Sequence, residues 1–167
     1  GACTVVAAVA PLDPVAPTTD VVTVPWVRNE RSPLVGLKTT SYAENVVALA
    51  RAKEAGASEA LFANTRDELC EGAGTNVFVV LRGELVTPPL SSGCLAGITR
   101  ELVLECTGAV ERALPFTVLA EADEVFLTSS TREVQAVAHV DGRAVPAAPG
   151  PVTAAALAAF RSLLPGG

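Results

Sequence analysis

Between residues 59 and 87 the chain is a series of short runs of apolar, often β-branched residues, each closed by polar turn chemistry. Residues 59–63, 69–71, 76–81 and 85–87 read as strands. Asn64-Thr65-Arg66-Asp67 and Arg82-Gly83-Glu84 supply the turns, so this stretch is expected to be an antiparallel meander. A helical pattern precedes it over residues 42–55, with Val46, Val47, Leu49 and Ala50 on an expected core face and Gly56 as its stop. Pro88-Pro89 ends the meander, and the loop of residues 91–100 leads into a second helix over 101–107 with Leu102, Val103 and Leu104 available for burial. Residues 4–9, 21–26, 110–118 around Pro115, and 124–128 are further strand-like runs; residues 11–17 form a proline loop. Asp141-Gly142 marks a hairpin tip, and an alanine-rich helix is expected over 153–164. Hairpins interleaved with isolated helices indicate an α+β fold rather than a doubly wound parallel sheet.

Composition narrows the function. The 167 residues are 50% hydrophobic, enough for one real core, and carry a net charge of -6. The 12 Lys and Arg are scattered, which argues against nonspecific binding to nucleic acid or to an anionic membrane. No apolar run reaches the roughly 18 residues of a membrane span. Cysteines at 3, 70, 94 and 106 lack paired spacing, and with His139 as the one histidine no metal site is expected. Free thiols and the absence of a basic leader make the expected setting cytoplasmic. The chain contains no methionine and opens directly on a strand-like run, so it is expected to be the back half of something longer.

The candidate chemistry begins at Lys38, between the apolar run of residues 34–37 and a helix start at which Ser41 and Glu44 have capping-box spacing. A lysine so placed feels the positive end of the helix dipole and, if desolvated, can act as a nucleophile; the alternative is an exposed loop lysine. Three polar loops add distinct capacities. Glu71, in Glu71-Gly72-Ala73-Gly74-Thr75-Asn76, stands at a strand end before two glycines that let a flat ligand or backbone approach. Its carboxylate could pair with a cationic ring nitrogen, or be a solvated edge glutamate. Gly97-Ile98-Thr99-Arg100 opens a helix whose free amides and Thr99 hydroxyl could hold a phosphate, or Thr99 could be a plain N-cap. Thr128-Ser129-Ser130-Thr131 could be an anion nest or an ordinary hydroxyl-rich turn. Together these loops would suit one anionic cofactor.

Other polar residues carry less. His139 lies beside Val140 in a hairpin with no nucleophile motif, Cys94 is a weak nucleophile candidate, and Asp13, Asp123 and Asp141 sit in turns where aspartate is expected. There is neither a dinucleotide fingerprint nor a P-loop.

The ordered set Lys38-Thr39-x-x-Tyr42, Asn45-Val46-Val47-Ala48, Glu71-Gly72-x-Gly74-x-Asn76-x-Phe78, Gly97-Ile98-Thr99-Arg100 and Thr128-Ser129-Ser130-Thr131 resembles the class IV aminotransferases. These fold-type IV enzymes of pyridoxal 5'-phosphate (PLP) include branched-chain and D-amino acid aminotransferases and 4-amino-4-deoxychorismate lyase. The resemblance implies that Lys38 forms the Schiff base with PLP and shuttles the proton, while Glu71 pairs with the protonated pyridine nitrogen. It implies that Gly97, Ile98 and Thr99 hold the phosphate with help from Ser129 and Ser130. Asn76 would be a further cofactor-binding residue, and Thr131 would lie near the substrate carboxylate. Tyr42 matches a tyrosine that touches the cofactor in the branched-chain enzymes, one residue nearer the lysine here.

Several expectations follow from that resemblance. Residues 1–167 would form a single PLP-binding domain, the large C-terminal domain of a fold-type IV enzyme, with a mixed, mostly antiparallel, barrel-like sheet and flanking helices. The family's smaller N-terminal domain has no counterpart in the sequence, and the chain alone would bind PLP weakly. The whole would be a homodimer acting on a small amino or keto acid. Lys38-Thr39-x-x-Tyr42-x-x-Asn45-Val46 and Glu59-Ala60 resemble the aminodeoxychorismate lyases of folate synthesis, whereas the Thr128 turn is as close to the D-amino acid aminotransferases. A noncatalytic PLP-fold remnant and a dimerisation module are the other readings.

Overall fold

In the computed structural model, which describes residues 3–11 and 14–164, the sheet is organised around strand β1 (Thr18–Arg28). β1 pairs in parallel with β2 (Glu59–Asn64) on one side and with β8 (Glu133–Val140) on the other. A parallel neighbour requires a crossover, and between β1 and β2 helix α1 (Ala43–Glu54) supplies it. The remaining strands are β3 (Leu69–Gly72), β4 (Asn76–Leu81), β5 (Glu84–Thr87), β6 (Val110–Glu111), β7 (Glu124–Ser129) and β9 (Arg143–Ala144), with helices α2 (Ile98–Thr107) and α3 (Pro151–Ser162). The sheet order is β3-β2-β1-β8-β7-β4-β5-β6, with β9 hairpinned onto β8 through Asp141-Gly142, both residues at positive φ as a tight turn requires.

The sheet curls until its ends meet. Residues just after β6 return to β3: the Leu69 amide donates to the Leu114 carbonyl at 2.9 Å, and the Phe116 amide to Asp67 at 2.8 Å. The expected mixed, barrel-like sheet is therefore present. Its interior is filled by Val21, Leu61, Leu69, Val77, Val79, Val125, Leu127 and Val137. Alternate residues of the same strands face outward: Phe78, Phe126 and Val134 pack under Val103 of α2 and Ala156 and Phe160 of α3. Both faces are covered, which is why these strands read as continuous apolar runs.

The structure corrects several local expectations. Residues 59–87 are not one meander: β2 pairs with β3 and β4 with β5, but β4 lies beside β7. The Gly72–Asn76 connection thus leaves one end of the sheet for another part of it. Residues 4–9 form no strand, and Val5, Val6 and Val9 are exposed, having no neighbouring strand to pair with. The run 110–118 is only the short β6 followed by a 3-10 turn over Phe116–Ala120, since Pro115 interrupts the ladder. Helix α1 buries Asn45, Ala48 and Ala52 instead of Val46, Val47 and Ala50, because small alanines let the helix settle closely over Val22, Val24 and Phe62. The Ser41–Glu44 capping box is not formed: Tyr42 occupies the N-cap without a side-chain cap, and Glu44 pairs with Arg28 at 3.6 Å. Helix α2 starts at Ile98 rather than 101, so Thr99 lies inside its first turn and is not the N-cap. The proline-loop residues Leu12 and Asp13 lie outside the described residues.

Phe78 and Phe126 face each other across β4 and β7 with ring centroids 4.8 Å apart and planes within 9°. Both are fully buried. Phe126→Ala is expected to cost about 3–5 kcal/mol of unfolding free energy, the usual loss for a buried aromatic; urea denaturation of the two chains measures it.

Candidate active site

Glu71 reaches its place because β3 carries an extra residue. Phe62 pairs with Glu71 but Ala63 pairs with Leu69, leaving Cys70 as a bulge. The bulge lets Leu69 point into the barrel while Glu71 shares a face with Phe62. Arg28, the last residue of β1, stacks its guanidinium 4.1 Å from the centre of the Phe62 ring and so meets Glu71, its Nε 3.1 Å from Oε1. That N–H is not aligned for a hydrogen bond, so the pairing is one of charge and proximity. Arg28 also donates to Asn45 at the start of α1.

The other Glu71 oxygen accepts the Leu95 amide at 2.8 Å, and the Leu95 carbonyl accepts Asn76 Nδ2, also at 2.8 Å. One residue of the loop entering α2 is thereby held from both sides by side chains of β3 and β4. Gly97 follows under tight constraint, since a Cβ there would stand 2.1 Å from Asn76 Oδ1. Beyond it, the amides of Ile98, Thr99 and Arg100 donate to no backbone or side-chain acceptor, and α2 has no side-chain cap. These are the free donors of a helix N-terminus, where an anion is stabilised. Thr99 is buried and Ile98 exposed, so Ile98 offers its amide and not its side chain. Arg100 turns away, holding the Pro88 carbonyl and Glu111.

The third loop is adjacent by register. Thr128 pairs with Asn76 across β7 and β4, and the turn of Ser129, Ser130 and Thr131 follows directly. Ser129 Oγ accepts the Arg132 amide at 3.1 Å and lies 3.3 Å from Thr131 Oγ1, while Ser130 and Thr131 are exposed. Arg132 anchors the turn on Ser58 and Gln135. Tyr42 is brought to the same region, its hydroxyl donating to the Ala73 carbonyl at 2.9 Å. Lys38 lies four residues before Tyr42 in irregular backbone, exposed, and among the described residues it has no ion-pair partner. A cleft of about 680 Å³ between residues 15–17, β8 and α3 touches this region only at Thr131 and Arg132 and does not include Lys38, Glu71 or Thr99.

Sequence reasoning did not identify Arg28, which reads as the first residue of a polar loop, or the burial of Glu59. An arginine closing a β-branched strand just before a polar loop gave no signal of what it would face. Cys94 is no nucleophile: burial pushes its thiol up to about 11.

Burial likewise raises the Glu71 carboxyl above its ordinary 4.5, while the Leu95 amide and Arg28 act in the opposite direction and Glu59 adds a like charge. A group whose folded value is raised contributes its stability below the unfolded value and loses it as pH rises through the folded value. Thermal unfolding without ligand should therefore show a stability decline beginning above about pH 4.5. In Glu71→Gln that component of the decline should disappear; its persistence would mean that another group causes it.

Residues 2–140 match the model of the family described as amino-transferase class IV. A D-alanine aminotransferase of Bacillus licheniformis is 38% identical over 124 residues, 70% of this chain and 43% of that protein. The branched-chain amino acid aminotransferase of Thermobaculum terrenum, solved in its PLP form, matches with a TM-score of 0.82 at 32% identity, covering 87% of this chain and 50% of that one. A candidate 4-amino-4-deoxychorismate lyase of Legionella pneumophila gives 0.80 at 29% identity, over 87% of this chain and 56% of that one. The chain spans about half the length of the proteins it matches or less. The motif set in its expected order, the curled mixed sheet and these likenesses agree, and the chain belongs to the class IV aminotransferase family, whose members use PLP as aminotransferases or lyases.

Proposed function

We propose that this chain is the cofactor-binding part of a PLP enzyme that converts 4-amino-4-deoxychorismate into 4-aminobenzoate and pyruvate. The observation that carries the cofactor reading is the two-sided hold on Leu95, which sets a carboxylate only 14% exposed and the open N-terminus of α2 side by side. The residues fit PLP in other respects too. Thr75 Oγ1 and Thr128 Oγ1 are buried without partners beside the same loops, and Gly97 leaves no Cβ between Asn76 and the first amides of α2.

When bound, PLP supplies an electron-withdrawing ring that stabilises negative charge at the substrate α-carbon. The chain would do the rest. Lys38 Nζ would hold the cofactor covalently and, once released, remove the α-proton. Glu71 would accept the ring N–H, and its raised proton affinity suits a proton shared with a pyridine nitrogen. The Ile98 and Thr99 amides, with the Thr99, Ser129 and Ser130 hydroxyls, would bind the phosphate. Asn76 would keep Gly97 close, Tyr42 would border the ring, and Thr131 would meet the substrate carboxylate.

The lyase is favoured by the Lys38-Thr39-x-x-Tyr42-x-x-Asn45-Val46 and Glu59-Ala60 patterns. The second reading is transamination of D-amino or branched-chain amino acids, favoured by the Thr128 turn and by the 38% identity already noted. In the lyase reading Lys38 would pass the α-proton it has taken to the departing β-oxygen, so that the side chain leaves as enolpyruvate; in the transaminase reading it would keep that proton for return to the bound cofactor. A homodimer in the cytoplasm, with a small preceding domain closing the substrate cleft, belongs to the same proposal.

Borohydride reduction of the PLP-treated protein followed by peptide mapping is expected to place the label on Lys38, and Lys38→Ala should remain unlabelled. Aminodeoxychorismate, and separately amino acid and keto acid pairs, then distinguish the reactions by product. Absence of the Lys38 label overturns the cofactor reading; amino-group exchange without 4-aminobenzoate overturns the lyase.

A further inference from the structure

Glu59, the first residue of β2, is 2% exposed, and among the described residues it has no cationic partner. Its carboxylate is instead ringed by main-chain donors. Oε1 accepts the Ala60 amide at 2.9 Å and the Ala73 amide at 3.0 Å, the latter shared with the Ala60 carbonyl at 3.0 Å, and Oε2 accepts the Gly74 amide at 3.2 Å. Two of these donors belong to the turn that links Glu71 to Asn76. The same turn is closed by the Gly72 amide on the Thr75 carbonyl at 2.8 Å, and a Cβ at Gly72 would stand 3.1 Å from the Glu59 carboxyl carbon. The Ala73 carbonyl, on the far side of that peptide pair, accepts the Tyr42 hydroxyl. A continuous chain of hydrogen bonds thus runs from Glu59 through Ala73 to Tyr42.

A buried carboxylate without a counter-ion is costly unless every oxygen is satisfied. Were the need only to close a turn, a serine or an asparagine would do so without burying charge. We propose that Glu59 is a positioning residue of the cofactor site, which shapes the Gly72–Thr75 turn and, through the Ala73 peptide, aims the Tyr42 hydroxyl.

Its charge has a second consequence. Two carboxylates, Glu59 from β2 and Glu71 from β3, share this end of the sheet with one guanidinium, Arg28 from β1; Glu44 of α1 reaches Arg28 alone. After burial and against the Leu95 amide and Arg28, Glu59 is a further cause that favours the protonated form of Glu71. A cationic ring nitrogen beside Glu71 would offset that surplus of negative charge. The inference rests on the reading of these loops as a PLP site, but its first two tests need no cofactor.

Tyr42 is the single tyrosine of the chain, so its Raman doublet reports one phenol without overlap. In the 15N-labelled 167-residue chain, the Ala73 and Gly74 amides should exchange slowly and the doublet should be that of a hydrogen-bond donor. Glu59→Gln, in which an amide NH2 replaces one acceptor, should speed exchange at Gly74 by roughly ten- to a hundredfold, as expected for loss of a hydrogen bond to a charged group, and affect Ala73 less because the Ala60 carbonyl still accepts its amide. It should also move the doublet toward its value in the urea-unfolded chain, and weaken PLP binding about tenfold. A folded Glu59→Gln with an unchanged doublet, or with changed doublet and unchanged PLP affinity, overturns the proposal; so does unprotected exchange at Gly74 in the parent chain. Should Glu59→Gln not fold, Glu59→Asp keeps the charge but is one methylene short, and retained protection at Gly74 overturns the proposal equally. Failure of the parent chain to label at Lys38 would leave the Glu59–Tyr42 coupling standing and remove only the cofactor reading.

Discussion

The hold on Leu95 is the interaction on which the candidate site depends. Its amide is taken by Glu71 and its carbonyl by Asn76, so neither polar group of that peptide is left to wander in a loop that would otherwise be positioned only at its ends. A hydrogen bond to a charged group contributes about 1.5–3 kcal/mol, and here the gain is also geometric. Helix α2 begins three residues later, so fixing Leu95 fixes where the first free amides point. Gly97 is the cost of that closeness, since the Asn76 side chain occupies the space a Cβ would need.

The same junction gathers charge from four elements. Arg28 ends β1, Glu71 is on β3, Glu59 opens β2, and Asn45 and Glu44 belong to the first turn of α1. Arg28 stacked on Phe62 gives Glu71 a partner without taking both of its oxygens. In this junction carboxylates outnumber the guanidinium, an arrangement that favours a cationic partner. Together with the anion-ready start of α2, it suits the proposed ligand, positive at one end and negative at the other.

Most strands and all three helices were legible in the sequence because they are local patterns: β-branched runs, turn dipeptides, an alanine-rich amphipathic segment. What was not legible is non-local. Nothing in residues 69–81 says that β3 and β4 should part company, because pairing with β2 and β7 is decided by contacts far along the chain. Val46 and Val47 read as a core face since hydrophobicity ranks them above Ala48 and Ala52, yet close helix-on-sheet packing selects the smaller pair. The candidate loops and Lys38 were singled out from their chemistry, and Tyr42 from the resemblance. The place of Arg28 and the burial of Glu59 were missed because an arginine or glutamate at a strand end looks the same whether solvated or buried.

Parity along the strands explains how fold and site come to share residues. In β4, Asn76 and Phe78 lie on one face, and Val77 and Val79 on the other. Phe78 belongs to the face covered by α2, so the loop entering α2 necessarily passes Asn76. A slip of one residue would send Asn76 into the apolar barrel and leave Val77 facing Leu95. In β3 the parity must change between Leu69, which the barrel needs, and Glu71, which Arg28 and Leu95 need. The unpaired Cys70 provides that change. The apolar packing and the polar junction are thus a single constraint: the Phe78–Phe126 pair locks the register of β4 against β7, and that register is what sets Asn76 opposite Thr128, at the head of the hydroxyl turn.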